Sequence, residues 1–201
     1  MPNGPPRSLH RVCIFCGSHD GNRPLYRTSA EAVGHILAKA GVEIVYGGGK
    51  VGLMGALADG ALAAGGTIIG VIPQRLVELE VVHRGLTHLH VVQSMHERKM
   101  LMAELVDAFI ALPGGYGTLE EFCEVVTWTQ LGIHHKPCGL LNVNGFFDPM
   151  LAQIDWAVTE GFISAENRAL VLADENIERL VDALRRVRLP AAPKQVNQPA
   201  P

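Results

Sequence analysis

The chain has 201 residues, 48% of them apolar, with 17 Lys and Arg against 20 Asp and Glu for a formal net charge of -3. That length and composition fit one compact domain with a sizeable core, and a pI near 6.3 without a basic block excludes nucleic acid as the main partner. No apolar run reaches the length of a membrane span, and Met1 to His10 lacks the apolar centre of a signal peptide, so the expected location is the cytoplasm.

Residues 1–10 read as a flexible start, and residues 11–188 as a single domain. Val12 to Phe15 is a short apolar strand ending in the small turn Cys16-Gly17-Ser18. A helix from about Leu25 to Ala40 follows, with Ala32, Ile36, Leu37 and Ala40 at helical spacing and Gly41 as its stop. Cys13 and Cys16 form a Cys-x-x-Cys pair, but no second pair or spaced His pair follows to complete a metal site. On a strand the two would face opposite sides, so they read as buried free thiols, with no metal expected.

Glu43 to Tyr46 is a second strand, Val51 to Ala64 a second helix and Thr67 to Ile72 a third strand. Between the second strand and helix lies Gly47-Gly48-Gly49-Lys50-Val51-Gly52, which satisfies Gly-x-Gly-x-x-Gly in the strand-to-helix context of a dinucleotide fingerprint. That fingerprint also wants an acid about twenty residues on, where this chain has Ile69-Gly70-Val71-Ile72-Pro73-Gln74. A P-loop needs Ser or Thr after its Lys, and Val51 stands there instead. What remains is a turn, including Gly48 and Gly49, that lines a nucleotide site.

Pro73 to His88 has no clear period and reads as a loop or short helix carrying Glu78, Glu80, His83 and Arg84. From composition alone Glu80 is a solvated charge. Leu89 to Val92 is a strand, and Ser94-Met95-His96-Glu97 opens the next helix with a capping box. Arg98 and Lys99 follow in its first turn, where cations oppose the helix dipole unless an anion is near.

Ala108 to Ala111 is a buried strand, and Leu-Pro-Gly-Gly-Tyr-Gly-Thr-Leu-Glu-Glu, Leu112 to Glu121, follows it. Pro113 has no N–H for the sheet ladder, and three glycines permit positive φ and close approach to a ligand. The helix beyond starts with unpartnered amides, a natural seat for phosphate. Thr118 and Glu121 are also spaced as a capping box. Capping, however, does not require a Pro-Gly-Gly-x-Gly approach, and that approach sets a carboxylate beside whatever anion the loop holds. This helix runs from about Leu119 to Leu131, with Phe122, Val125, Val126 and Thr129 turned to the core and Gly132 at its end. Cys138 to Leu141 is a strand, Phe147 to Thr159 a helix, Leu170 to Ala173 a strand, Ile177 to Val187 a closing helix, and residues 189–201 a disordered tail. The alternation implies an α/β, Rossmann-like, doubly wound parallel sheet with helices on both faces and ligands at the carboxyl ends of its strands.

With Ser94-Met95-His96-Glu97-Arg98-Lys99 and Pro113-Gly114-Gly115-Tyr116-Gly117-Thr118-Leu119-Glu120-Glu121 in place, the chain resembles the Lonely Guy (LOG) family. These are cytokinin-activating phosphoribohydrolases, often mislabelled as lysine decarboxylases. The resemblance runs from about Val12 to the Ile163 region and includes Cys16-Gly17-Ser18, Gly52-Leu53-Met54-Gly55 and Thr127-Trp128-x-Gln130-Leu131-Gly132. It implies a homodimer, no cofactor, and hydrolysis of the N-glycosidic bond of N6-modified adenosine monophosphates or AMP to free base and ribose 5-phosphate. It also implies that Arg98 and Glu121 are catalytic and that Gly114, Gly115, Tyr116, Gly117 and Thr118 bind phosphate. Met95, Lys99, Glu80 and Thr127 match substrate-contacting positions. The rival decarboxylase label needs pyridoxal phosphate on a lysine, and Lys50, Lys99 and Lys136 lie in turns or helix starts with nothing obvious to desolvate them. A second alternative is a nucleotide or molybdenum-cofactor carrier of the same fold, against which the presence of both Arg98 and Glu121 speaks.

Overall fold

Strand residues alternate between two apolar layers, and that alternation explains the architecture. In the computed structural model, which describes residues 6–78 and 82–190, Val12 and Ile14 enter one buried cluster while Cys13 and Phe15 enter the other. Strand β1 (Arg11–Phe15) is followed by α1 (Pro24–Lys39), β2 (Glu43–Tyr46), α2 (Gly52–Ala63), β3 (Ile68–Pro73), α3 (Gln74–Glu78), β4 (His88–Val92) and α4 (Met95–Glu104). The second half runs β5 (Ala108–Ala111), α5 (Tyr116–Gln130), β6 (Cys138–Leu141), α6 (Asp148–Thr159), α7 (Ala165–Arg168), β7 (Val171–Asp174) and α8 (Ile177–Arg186).

The seven strands form one sheet in the order β4-β3-β2-β1-β5-β6-β7, and every pairing is parallel. A sheet buried on both faces needs near-continuous apolar strands, and β1, β2, β3, β5 and β6 supply them. One face is covered by α1, α2 and α8 through Leu37, Leu57 and Leu180, the other by α4, α5 and α6 through Met102, Phe122 and Ile154. Phe15 and Phe109 stack across the β1–β5 pair with centroids 6.0 Å apart. The order reverses between β1 and β5, and such a switch point opens a crevice at the strands' carboxyl ends.

Local sequence sets the boundaries. Helix α8 is capped by the Asn176 side chain, which accepts from the Arg179 amide, and it buries Ile177, Leu180, Val181 and Leu184. Helix α5 ends at Leu131, and Gly132 with φ 73° supplies the left-handed residue beyond it. Helix α7, four residues capped by Ser164, and a 3-10 turn at Val143–Gly145 are additional to the predicted elements. Neither is long enough to show a period. Of the expected flexible start, residues 1–5 lie outside the described residues; Leu9 is buried and the His10 amide donates to Asp107 at 2.7 Å. Nearly all of the expected tail, from residue 191 on, lies outside them too. Among the described residues no helix is long and apolar enough to cross a membrane.

The loop before β6 holds a titratable group that links fold to pH. His134 stacks on Phe109 and meets Trp128 edge-on, its Nδ1 accepts from the Lys136 amide at 3.3 Å, and its Nε2 is buried without a partner. Burial first, and the Lys136 charge second, hold it down to about 4 from an ordinary 6.5. Because the folded value is the lower one, the unfolded chain takes the proton first as pH falls. Stability is therefore full above 6.5 and declines towards 4. After discounting for the ring's partial exposure, this is about 1–2 kcal/mol. Thermal melts between those limits are expected to show a fall in the wild type that His134→Asn flattens; parallel curves would refute the assignment.

Candidate active site

The crevice is shaped by two loops that touch. The loop after β1 reaches the loop after β5 through the Gly17 amide, which donates to the Pro113 carbonyl at 3.0 Å. A Cβ on Gly17 would stand 3.2 Å from the Gly114 α-carbon, and one on Gly114 would strike the Thr118 side chain and stand 2.9 Å from the Gly17 nitrogen. Positive φ was the other expected reason for glycine here, and it does not apply. Gly114, Gly115 and Gly117 all lie outside that region, so close approach alone accounts for Gly114. Gly115 and Gly117 face open space. Between the loops lies a cleft of about 540 Å³.

Helix α5 begins at Tyr116 with Gly115 as its N-cap, three residues before the expected start. Thr118 is therefore inside the first turn, and the capping-box alternative for Thr118 and Glu121 does not form. No side chain caps this helix and no acid stands in its first turn. Its leading amides and dipole are thus open to an anion from the cleft. Helix α2 differs. The Leu53 and Met54 amides donate to the Gly17 carbonyl at 3.0 and 3.4 Å, so its N-terminus is already occupied by backbone.

Glu121 sits one turn further along α5, only 8% exposed, at the floor of the cleft. Its Oε1 lies 3.1 Å from Arg98 Nη1, and both side chains are nearly buried. Arg98 Nε donates to the Val71 carbonyl at 3.0 Å, which fixes the guanidinium at the carboxyl end of β3. Burial raises the Glu121 carboxyl above the usual carboxylate range; the Arg98 charge opposes that shift, and Glu120 adds to it. A desolvated carboxylate held beside a cation is poised both to meet positive charge and to accept a proton. The anion that Arg98 needs near a helix start is thus Glu121.

Lys99 finds its anions on the same helix. Its Nζ donates to Glu120 at 2.6 Å and Glu124 at 3.0 Å, outside the cleft lining. Burial works to lower its pKa, but these two hydrogen bonds prevail and raise it. Met95 is exposed, with Sδ 3.9 Å from Arg98 Nη1. Thr127 is exposed on α5 and its hydroxyl donates back to the Cys123 carbonyl. Gly48 and Gly49 are buried and outside the cleft lining; the Gly48 carbonyl accepts from the His83 amide and that of Gly49 from the Tyr46 hydroxyl. Glu80 lies outside the described residues. The structure thus gathers Arg98, Glu121 and Gly114 to Thr118 on the cleft and leaves Met95, Lys99, Thr127, Gly48 and Gly49 off it.

Sequence reasoning did not single out Tyr26, Met54 or Phe146, which also line the cleft. The Met54 signal was the Gly52-Leu53-Met54-Gly55 run, while the edge-to-face contact of Tyr26 and Phe146 at 5.8 Å joins residues 120 positions apart. Cys13 and Cys16 fall in opposite core layers as expected, and among the described residues no His, Cys, Asp or Glu group is arranged to hold a metal. Lys136 corrects an expectation: burial lowers its pKa, and its Nζ donates to the Ala103 carbonyl. It precedes β6, at the sheet edge opposite the cleft.

The chain is similar to known proteins. A family model described as "possible lysine decarboxylase" matches residues 54–184. A cytokinin riboside 5'-monophosphate phosphoribohydrolase of Rhodococcoides fascians is 51% identical over 87% of this chain and 88% of its own. The LOG enzyme of that name from Oryza sativa subsp. japonica is 49% identical over 86% of this chain and 72% of its own. Among solved structures, the molybdenum cofactor binding protein of Rippkaea orientalis superposes with a TM-score of 0.65 at 23% identity, covering 87% of this chain and 94% of its own, a likeness of fold alone. With half its residues identical to those relatives over most of its length, the chain belongs to the LOG phosphoribohydrolase family, to which the "possible lysine decarboxylase" model corresponds.

Proposed function

We propose that the protein is a cytoplasmic, homodimeric N-glycosyl hydrolase that cleaves cytokinin riboside 5'-monophosphates and AMP to free base and ribose 5-phosphate. The observation that carries this reading is the buried Glu121–Arg98 pair one turn beyond an uncapped helix start. The amides of Tyr116, Gly117 and Thr118 take the 5'-phosphate, which places the sugar over Glu121. As the glycosidic bond breaks, positive charge grows on the ribose; the Glu121 carboxylate stabilises it and orients and deprotonates the attacking water. Arg98 turns its N–H groups to ribose or phosphate oxygens and holds the sugar against that carboxylate. No cofactor enters the scheme. Apolar surface at Leu131, Ile133, Trp156 and Phe162, all more than half exposed, supports burial against a second copy.

Incubation with AMP and with isopentenyladenosine monophosphate, followed by chromatography, is expected to yield free base. Tight binding of both without any base would favour a carrier of the same fold.

The open space around Gly117 provides a further check. Alanine there meets no neighbouring atom and suits a helix better, by about 0.5–1 kcal/mol. Gly117→Ala is therefore expected to melt at the same or a higher temperature. With its methyl in the phosphate seat, KM should rise about tenfold or more, on the order of the 1.4 kcal/mol that tenfold represents. An unchanged KM would move the phosphate elsewhere.

A further inference from the structure

Gly47 is buried at the end of β2, and the reason it is glycine lies in a neighbour. Its φ is not positive, so the backbone there accepts any residue. A Cβ at Gly47 would fall on Arg98 Nη2, 3.4 Å from Arg98 Cζ and 3.3 Å from Met54 Sδ. The guanidinium thus points its Nη2 end at a bare α-carbon. Its polar contacts include the Val71 carbonyl in β3 and the Glu121 carboxylate on α5. These three elements together define one position for a long, otherwise flexible side chain.

We propose that Gly47 is a positioning residue for the hydrolysis: its missing side chain is the seat of the Arg98 guanidinium, and any side chain there would displace Arg98 from Glu121. The inference rests on the function proposed above for Arg98 and Glu121. All three atoms that a methyl would meet belong to two flexible side chains, Arg98 and Met54, so the clash moves side chains and leaves the sheet in place. Displacement of a catalytic group by about 1 Å costs on the order of a hundredfold in rate. The phosphate seat on α5 is untouched, so the loss should fall on kcat far more than on KM.

The test is a cycle of Gly47→Ala, Arg98→Ala and the double variant, assayed with a nucleoside 5'-monophosphate. Gly47→Ala is expected to lower kcat about a hundredfold with KM within about threefold of wild type, and to change nothing further in the Arg98→Ala background. Equal losses in both backgrounds, or none in either, would overturn the proposal. Nitrogen-15 NMR supplies a readout without turnover. The Arg98 Nε–H, bonded to Val71, should give a slowly exchanging signal that Gly47→Ala abolishes, and its survival would overturn the seat. If the wild type releases no base, the hydrolase reading fails while this signal still decides the seat. Should Gly47→Ala fail to fold, Gly47→Ala/Arg98→Lys decides: lysine has no Nη2, so recovered folding supports the proposal and continued misfolding refutes it.

Discussion

Glu121→Gln is expected to abolish base release, by about a thousandfold or more, while the protein melts at the same temperature or higher. The two halves of that result have one cause. Glutamine keeps the size and hydrogen-bonding reach of the side chain but carries neither the negative charge that meets the developing cation nor a site for the water's proton. General-base assistance and electrostatic stabilisation contribute on the order of 10² to 10⁴ each. For stability the sign follows from the raised pKa. The folded chain holds the Glu121 proton at pH values where the unfolded chain has already lost it, so stability declines as pH rises from the ordinary value of 4.5 through the folded one. At neutral pH the ionised group costs stability that the neutral amide does not. Melts of the two proteins should converge in acid, where Glu121 is protonated in both states. A variant that keeps substantial turnover would remove Glu121 from the chemistry, and one that melts well below wild type at neutral pH would contradict the electrostatics.

Arg98→Ala is expected to cost about 10² to 10³ in kcat/KM, the range for loss of one aimed donor in a water-poor site. Arg98→Lys should recover little of it. A lysine ammonium has no planar fork with which to bond the Val71 carbonyl, Glu121 and a substrate oxygen together. The variant also leaves Glu121 buried without its principal cation, with the charges of Glu120, Lys99 and Glu124 around it. Such a group neutralises before it unfolds the protein. The residual activity of Arg98→Ala should therefore fail at a higher pH than that of wild type as the medium is acidified. A pH–rate profile with an unmoved acid limb would separate Arg98 from Glu121.

Most of the fold was legible because it rests on local rules. The alternation of Val12, Cys13, Ile14 and Phe15 between layers, and the period of α1, α5 and α8, can be read from hydrophobic spacing alone. Helical elements of about one turn, such as α7 and the turn at Val143–Gly145, carry no helical period and are not legible in that way. In the site, the unfavourable placement of Arg98 in the first turn of α4 was a physical clue, and its resolution by Glu121, 23 positions away, needed the β4–α4 and β5–α5 connections to be folded together. The two glycine runs are placed differently. Gly48 and Gly49 look like a nucleotide loop but are buried, with α2 already bonded to Gly17, whereas Gly114 serves contact between loops rather than positive φ. Lys136 could not be read at all, since its desolvation comes from packing below the sheet's amino edge rather than from its neighbours in sequence.

If the amides at the start of α5 hold the substrate's phosphate and thereby aim its sugar at Glu121, removing the phosphate should remove catalysis. The decisive measurement is kcat/KM for a nucleoside 5'-monophosphate against the same nucleoside without its phosphate, with free base as the product. A preference of about a thousandfold or more for the monophosphate is expected, since charge-assisted binding remote from the reacting bond is what orients it. Comparable rates for the two would contradict the central claim.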